Sequence, residues 1–194
     1  MIAIAGGAAF SFGYREQVEA LAAAGAELAP LDPLRDEKLP EGTKALIVGG
    51  GFPEVYGAEL SANNSLREQV RALADDGVPV AAECAGLLWL GRALDGYPMC
   101  GVLDTEAVMT DRLTLGYRDA VAVSASVLAD AGTAVTGHEF HRTAAAPPAG
   151  RHAAWGWRGT RKEGFVHKGV HASYLHLHWA AHPDFARRLV AACG

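Results

Sequence analysis

The chain has 194 residues, half of them apolar, with 17 lysines and arginines against 22 acids for a net charge of −5. That length buries roughly 70% of its unfolded surface, enough for one domain over residues 1–194 rather than two equal ones, and the acidic balance argues against nucleic acid as a partner. No apolar run nears the roughly 18 residues of a bilayer span and residues 1–5 lack the basic flank of a signal peptide, so no membrane partner is expected; three cysteines, too few for a disulfide framework, indicate reduced thiols in a cytoplasmic protein.

Glycine supplies 23 residues, above its usual share of about 7%, and follows short apolar runs as strand-to-loop turns of a parallel sheet do. Residues 1–5 read as a buried strand turning at Gly6-Gly7. Residues 15–24 read as a helix with Val18, Leu21 and Ala22 inward and Gly25 as its stop. Strands follow at 27–31 and 45–48, the second running into Gly49-Gly50-Gly51. Residues 66–74 are helical by the spacing of Leu66, Val70 and Leu73, and 78–82 begin another strand. This βαβ rhythm implies a mostly parallel sheet with helices on both faces. The second half changes character. Residues 105–127 and 134–143 read as antiparallel strands, 144–150 as a loop, and the glycines at 156, 159, 164 and 169 separate short strands leading to 171–179. A last helix begins near Pro183 and turns Phe185, Leu189 and Val190 inward. The chain opens on a core strand with no leader, and is read as one domain of a longer polypeptide.

The sharpest chemical signal is Val80-Ala81-Ala82-Glu83-Cys84-Ala85-Gly86-Leu87-Leu88, an apolar strand entering a helix through Cys84. A nucleophile at such an elbow needs small neighbours because the turn is tight, and a helix N-terminus lowers a thiol pKa. The alternative is that Cys84 is a small buried hydrophobe. Cys100 and Cys193 lack this context. Attack on a carboxamide also needs donors for an oxyanion. Gly50 or Gly51, at the end of the third strand, and the N–H of Ala85 are the candidates, with Glu54 just beyond. No Gly-x-x-x-x-Gly-Lys-Ser/Thr run occurs, so no ATP site is expected here.

A proton acceptor is sought among eight histidines concentrated in the second half. His176 and His178 alternate on one strand end and point to the same side; one would face the elbow while the other stands where an orienting carboxylate is expected. A metal site on His176, His178 and His182 lacks a carboxylate or cysteine partner, and no metal is expected. Gly137-His138-Glu139-Phe140-His141-Arg142 is a second polar cluster, read as a pocket rim or a partner contact.

Ala-Glu-Cys-Ala-Gly-Leu at 82–87, Gly-Gly-Gly-Phe-Pro-Glu at 49–54 and Ala-Ser-Tyr-Leu-His-Leu-His at 172–178 resemble the class I glutamine amidotransferases. The closer resemblance is to the glutaminase domain of cobyrinic and hydrogenobyrinic acid a,c-diamide synthases, carried also by residues 8–12, 109–118 and 137–141. The resemblance implies a flavodoxin-like three-layer sandwich with antiparallel additions in the C-terminal half. It implies Cys84 as nucleophile toward L-glutamine and His176 as its base; His178, Glu54, Glu83, His138 and His141 stand beside these as candidate supporting groups. It also implies a partner, an ATP-binding synthetase domain carrying ATP and Mg2+, with no cofactor in this domain. Ammonia would amidate the a and c acetate carboxylates of the corrin precursor in cobalamin biosynthesis. Three departures stand out. His178 occupies the position, two past the catalytic histidine, where many amidotransferases carry glutamate, which favours a Cys–His dyad. The elbow keeps only the later glycine of Gly-x-Cys-x-Gly, and Gly6-Gly7 stands where this branch is expected to carry Arg-Asp. Cobyric acid synthase, cell-wall amidation, a glyoxalase- or protease-like cysteine enzyme with Glu83 beside its nucleophile, and a non-enzymatic interaction domain remain as alternatives.

Overall fold

The computed structural model describes every residue except Arg158 and Thr160. The short apolar runs become strands: β1 (Ile2–Ala5), β2 (Leu28–Leu31), β3 (Ala45–Val48) and β4 (Val80–Glu83) lie parallel in the order β2-β1-β3-β4, with β3 and β4 buried on both faces and the edge strand β2 only partly covered. Side chains alternate across this sheet. Leu46, Val48, Val80 and Ala82 pack on one side against α2 (Gly57–Ala62), α3 (Asn64–Asp75) and α4 (Ala85–Leu90). Ile2, Ala45, Ile47 and Ala81 pack on the other against α1 (Arg15–Ala23) and α5 (Asp184–Ala191). Helix, sheet and helix make three layers, as the resemblance implies, and among the described residues no helix is long and apolar enough to cross a membrane.

The second half builds another sheet. The short strands β5 (Ala93–Leu94) and β6 (Tyr97–Pro98) lead to a long hairpin of β7 (Glu106–Ala122) and β8 (Ala134–Ala146), extended by β9 (Trp155–Trp157) and β10 (Arg161–Glu163). Trp155, Trp157, Ala120 and Ala122 pack this sheet against the α1/α5 side of the first. The chain then returns to the first sheet. β11 (Phe165–His167) turns antiparallel into β12 (Val170–Ser173), which lies parallel to β4 with Ser173 opposite Glu83.

Two expectations are corrected. Residues 144–146 are strand rather than loop, because their alanines pair with Glu106, Ala107 and Val108 and the ladder ends only before Pro147. In α1 the inward face is Gln17 and Leu21, with Ala20 and Ala24 beside them. Val18 is 41% exposed and Ala22 is exposed, since the 100° helical step carries both out of the contact stripe. Leu21→Ala should therefore lose about 2–5 kcal/mol of stability and Val18→Ala under about 0.5 kcal/mol, compared by urea denaturation; equal losses would contradict this face assignment.

Candidate active site

β4 ends at Glu83 and α4 begins at Ala85, so Cys84 alone makes the turn. Its φ of 49° and ψ of −100° lie where a side chain costs about 1–3 kcal/mol, strain that the surroundings must hold. Two main-chain hydrogen bonds do so. The Cys84 N–H donates to the Ser173 carbonyl at 2.7 Å, at the end of β12, and the Gly86 N–H donates to the Gly49 carbonyl at 3.1 Å, at the end of β3. A Cβ on Gly86 would stand 2.3 Å from the Val48 carbonyl oxygen, so only glycine lets α4 begin this close to β3.

The elbow opens into a cavity of about 240 Å³, off the carboxyl edge of the sheet where strand order reverses between β1 and β3. Cys84, Gly51, Glu54, His141, Arg142 and Thr143 give it polar lining; Phe12, Phe52, Leu88, Met109, Leu113 and Phe140 give the apolar part. Of the two glycines proposed as oxyanion donors, Gly50 already uses its N–H on the Phe12 carbonyl at 3.2 Å. Gly51 lines the cavity and, among the described residues, its N–H has no main-chain acceptor. Gly50 serves differently: a Cβ there would lie 2.6 Å from His176 Cε1, so its bare backbone makes room for the imidazole.

His176 is placed by the exit of β12. Glu163 of β10 accepts from Ser173 Oγ at 2.6 Å and from the Tyr174 N–H at 2.8 Å, fixing that exit. The main chain of His176 then pairs in both directions with His138 of β8, at 2.9 and 3.1 Å, and the two imidazoles stack with centroids 4.9 Å apart. His178 turns to the same side, 6.3 Å from the His138 ring, but it does not stand behind His176. It faces outward and its Nδ1 meets Glu16 Oε1 at 2.8 Å, because the chain is already leaving the sheet toward α1. The acid beside His176 is Glu83, whose Oε2 lies 4.0 Å from His176 Nδ1. His141 stacks on Tyr174 at 3.8 Å with its Nδ1 2.9 Å from the Thr143 carbonyl, in the cavity wall. His182 stacks instead on Phe185, and among the described residues no three His, Cys, Asp or Glu side chains gather as metal ligands.

Burial governs the charges. It pushes the Cys84 thiol up to about 12, with Glu54, Glu83 and Glu163 adding to the rise and only the Ala85 N–H opposing it. The lowered thiol pKa expected of a helix N-terminus is not found, since six residues of α4 do not outweigh burial beside three acids. Burial, with His138, His141 and His178 nearby, brings His176 down to about 4. The imidazole is thus neutral near pH 7, with a lone pair free to take a proton, and the thiol keeps its proton until something takes it. Burial raises Glu54 as well.

The CobB/CobQ-like glutamine amidotransferase domain family matches residues 1–184. The chain belongs to this family. It is 66% identical to hydrogenobyrinate a,c-diamide synthase of Streptomyces coelicolor over 99% of its own length and 40% of that protein's. It is 42% identical to cobyrinate a,c-diamide synthase of a Synechococcus species, covering 44% of it. The chain thus spans about two fifths of the length of these relatives. A crystal structure of a glutamine amidotransferase superposes over the whole chain with a TM-score of 0.69 at 25% identity, covering 98% of that structure. The chain is a glutamine amidotransferase domain, part of an enzyme.

Within the amidotransferase domain the structure gathers Cys84, Gly51, Glu54 and His141 around the cavity, with Ala85, Glu83, His176 and His138 at or beside the elbow; Gly50 and His178 do other work. Sequence reasoning put Arg142 in a polar cluster read as a pocket rim or partner contact, and the structure places it in the cavity lining; it missed Thr143 and Leu88 there and Glu163 as the clamp on β12. The polar run 137–142 signalled the first, but a lone glutamate between short strands gave no cue to the last. With the thiol raised to about 12, alkylation of unliganded Cys84 by iodoacetamide, followed by peptide mass mapping, should climb with pH up to at least pH 10. A plateau below pH 8 would show a pre-formed thiolate and contradict this electrostatic reading.

Proposed function

We propose that this domain hydrolyses L-glutamine at Cys84 and supplies ammonia for ATP-dependent amidation of the a and c acetate carboxylates of hydrogenobyrinic or cobyrinic acid. The observation that carries the glutaminase reading is the strained cysteine elbow, held between the exits of β3 and β12 and opening into the cavity. In the cavity, Glu54 suits the α-ammonium of glutamine and Arg142 its α-carboxylate, while the carboxamide reaches the sulfur. His176 takes the Cys84 proton as the sulfur bonds to the carboxamide carbon, and the oxyanion rests on the N–H groups of Gly51 and Ala85. Collapse breaks the C–N bond, and His176 returns the proton to the leaving nitrogen, giving ammonia and a glutamyl thioester. Water then adds to the thioester with His176 as base, and glutamate leaves as the sulfur regains a proton.

The acceptor chemistry rests on the diamide synthases that the chain resembles and on the length they have beyond this domain. ATP and Mg2+ belong, in this reading, to that further length. The mouth of the cavity supports a covering partner, because Phe12, Phe52, Met109, Leu113 and Phe140 line it yet stay 41–52% exposed. An apolar rim of this kind marks a surface that another part of the polypeptide covers. The isolated domain should accordingly show weak or unregulated glutaminase activity.

A diazo-ketone analogue of glutamine should modify Cys84 and no other cysteine, and Cys84→Ala should abolish glutamate release. Labelling confined to Cys100 or Cys193, or turnover of methylglyoxal instead of glutamine, would refute the assignment.

A further inference from the structure

In this sequence His176 lacks the usual acid two residues on, and His178, which replaces it, is engaged with Glu16 at the surface. The buried Nδ1 of His176 has no hydrogen-bond partner among the described residues, and neither has the buried Oε1 of Glu83. Unpartnered buried polar atoms of opposite character beside a candidate base point to a contact that forms in use. The other carboxyl oxygen of Glu83 already lies 4.0 Å from that Nδ1, about 1 Å beyond a normal hydrogen bond, and such bonds are often long before substrate binds. The topology explains the approach. Glu83 ends β4 opposite Ser173 of β12, and His176 follows three residues later on the same exit. A residue immediately before the nucleophile therefore reaches the base from the neighbouring strand.

Resting on the assignment of Cys84 and His176 above, we propose that Glu83 is the positioning residue of this site, doing from the elbow what a glutamate at position 178 would do. Its carboxylate accepts the Nδ1–H of His176, which holds the imidazole in the tautomer whose Nε2 lone pair can receive the Cys84 proton. The Nδ1 proton stays on histidine throughout, and Glu83 contributes a hydrogen bond and a negative charge beside the transient imidazolium. The Leu177 N–H and the Trp179 indole lean toward the Glu83 carboxyl and pull its pKa down, but burial dominates and raises it to about 8. The ionised, competent form therefore grows as pH rises through about 8. The other groups facing this pair are His138 and His141 on β8, His178 on the same exit, and Tyr14 ahead of α1. The three histidines disfavour charge on His176, which makes a balancing carboxylate more useful there.

The test uses the 194-residue chain and the rate at which the diazo-ketone glutamine analogue modifies Cys84, measured from pH 6 to 10. Cys84→Ala and His176→Ala are run first: labelling that survives at the other cysteines, or is unchanged without His176, overturns the underlying assignment. With those controls inactive, Glu83→Gln should slow the maximal modification rate about 100-fold or more, leave the half-saturating concentration within about threefold, and remove the inflection near pH 8. Glu83→Asp should restore part of the rate and the inflection. An unchanged rate and pH profile in Glu83→Gln would overturn the role of Glu83 alone. Should that variant not fold, nitrogen chemical shifts of His176 in the unmodified protein decide: a proton on Nδ1 supports the proposal, and a proton on Nε2 alone overturns it.

Discussion

Two hydrogen bonds at one residue's width organise this molecule. From Cys84 the main chain reaches β12 through the Ser173 carbonyl, and from Gly86 it reaches β3 through the Gly49 carbonyl. The strained turn between them is held on both sides, so it cannot relax without pulling two neighbouring strands apart. Those same strands lead directly to the other parts of the site, β3 to Gly51 and β12 to His176. A sheet edge that fixes the nucleophile thereby fixes a candidate oxyanion donor and a candidate base at once, and the loops need little rigidity of their own.

The electrostatics follow from that enclosure. Cys84 is only 5% exposed, and burial favours the uncharged forms of its thiol, of Glu83 and of His176. The resting site is therefore a protonated thiol near a neutral imidazole, with an acid next to that imidazole raised to about 8. Charge appears only as a proton moves from sulfur to nitrogen. In a site this dry, the groups that receive that charge matter more than any prior lowering of the thiol pKa.

Much of this was legible in the sequence, because the relevant residues obey local rules. The apolar runs at β1, β3 and β4 are too short and too uniformly apolar for surface helices, and the small residues flanking Cys84 announce a tight turn. What escaped the sequence was set by pairing at a distance. That Gly50 gives up its N–H depends on Phe12, beyond the end of β1, bridging to it, and that His178 swings outward depends on Glu16 in α1. Glu163 clamps β12 through two bonds that join elements of the two sheets. The inward face of α1 was misjudged because Gln17 looks polar, although its position in the helical stripe, not its polarity, decides burial.

A crystal structure of the domain with the glutamine analogue attached to Cys84 tests the central geometry most directly. The account expects the adduct's carbonyl oxygen about 3 Å from the N–H groups of Gly51 and Ala85, with the His176 imidazole in hydrogen-bonding reach of the reacting centre. An adduct whose oxygen points to solvent, with His176 still stacked on His138 beyond reach of it, would contradict the account.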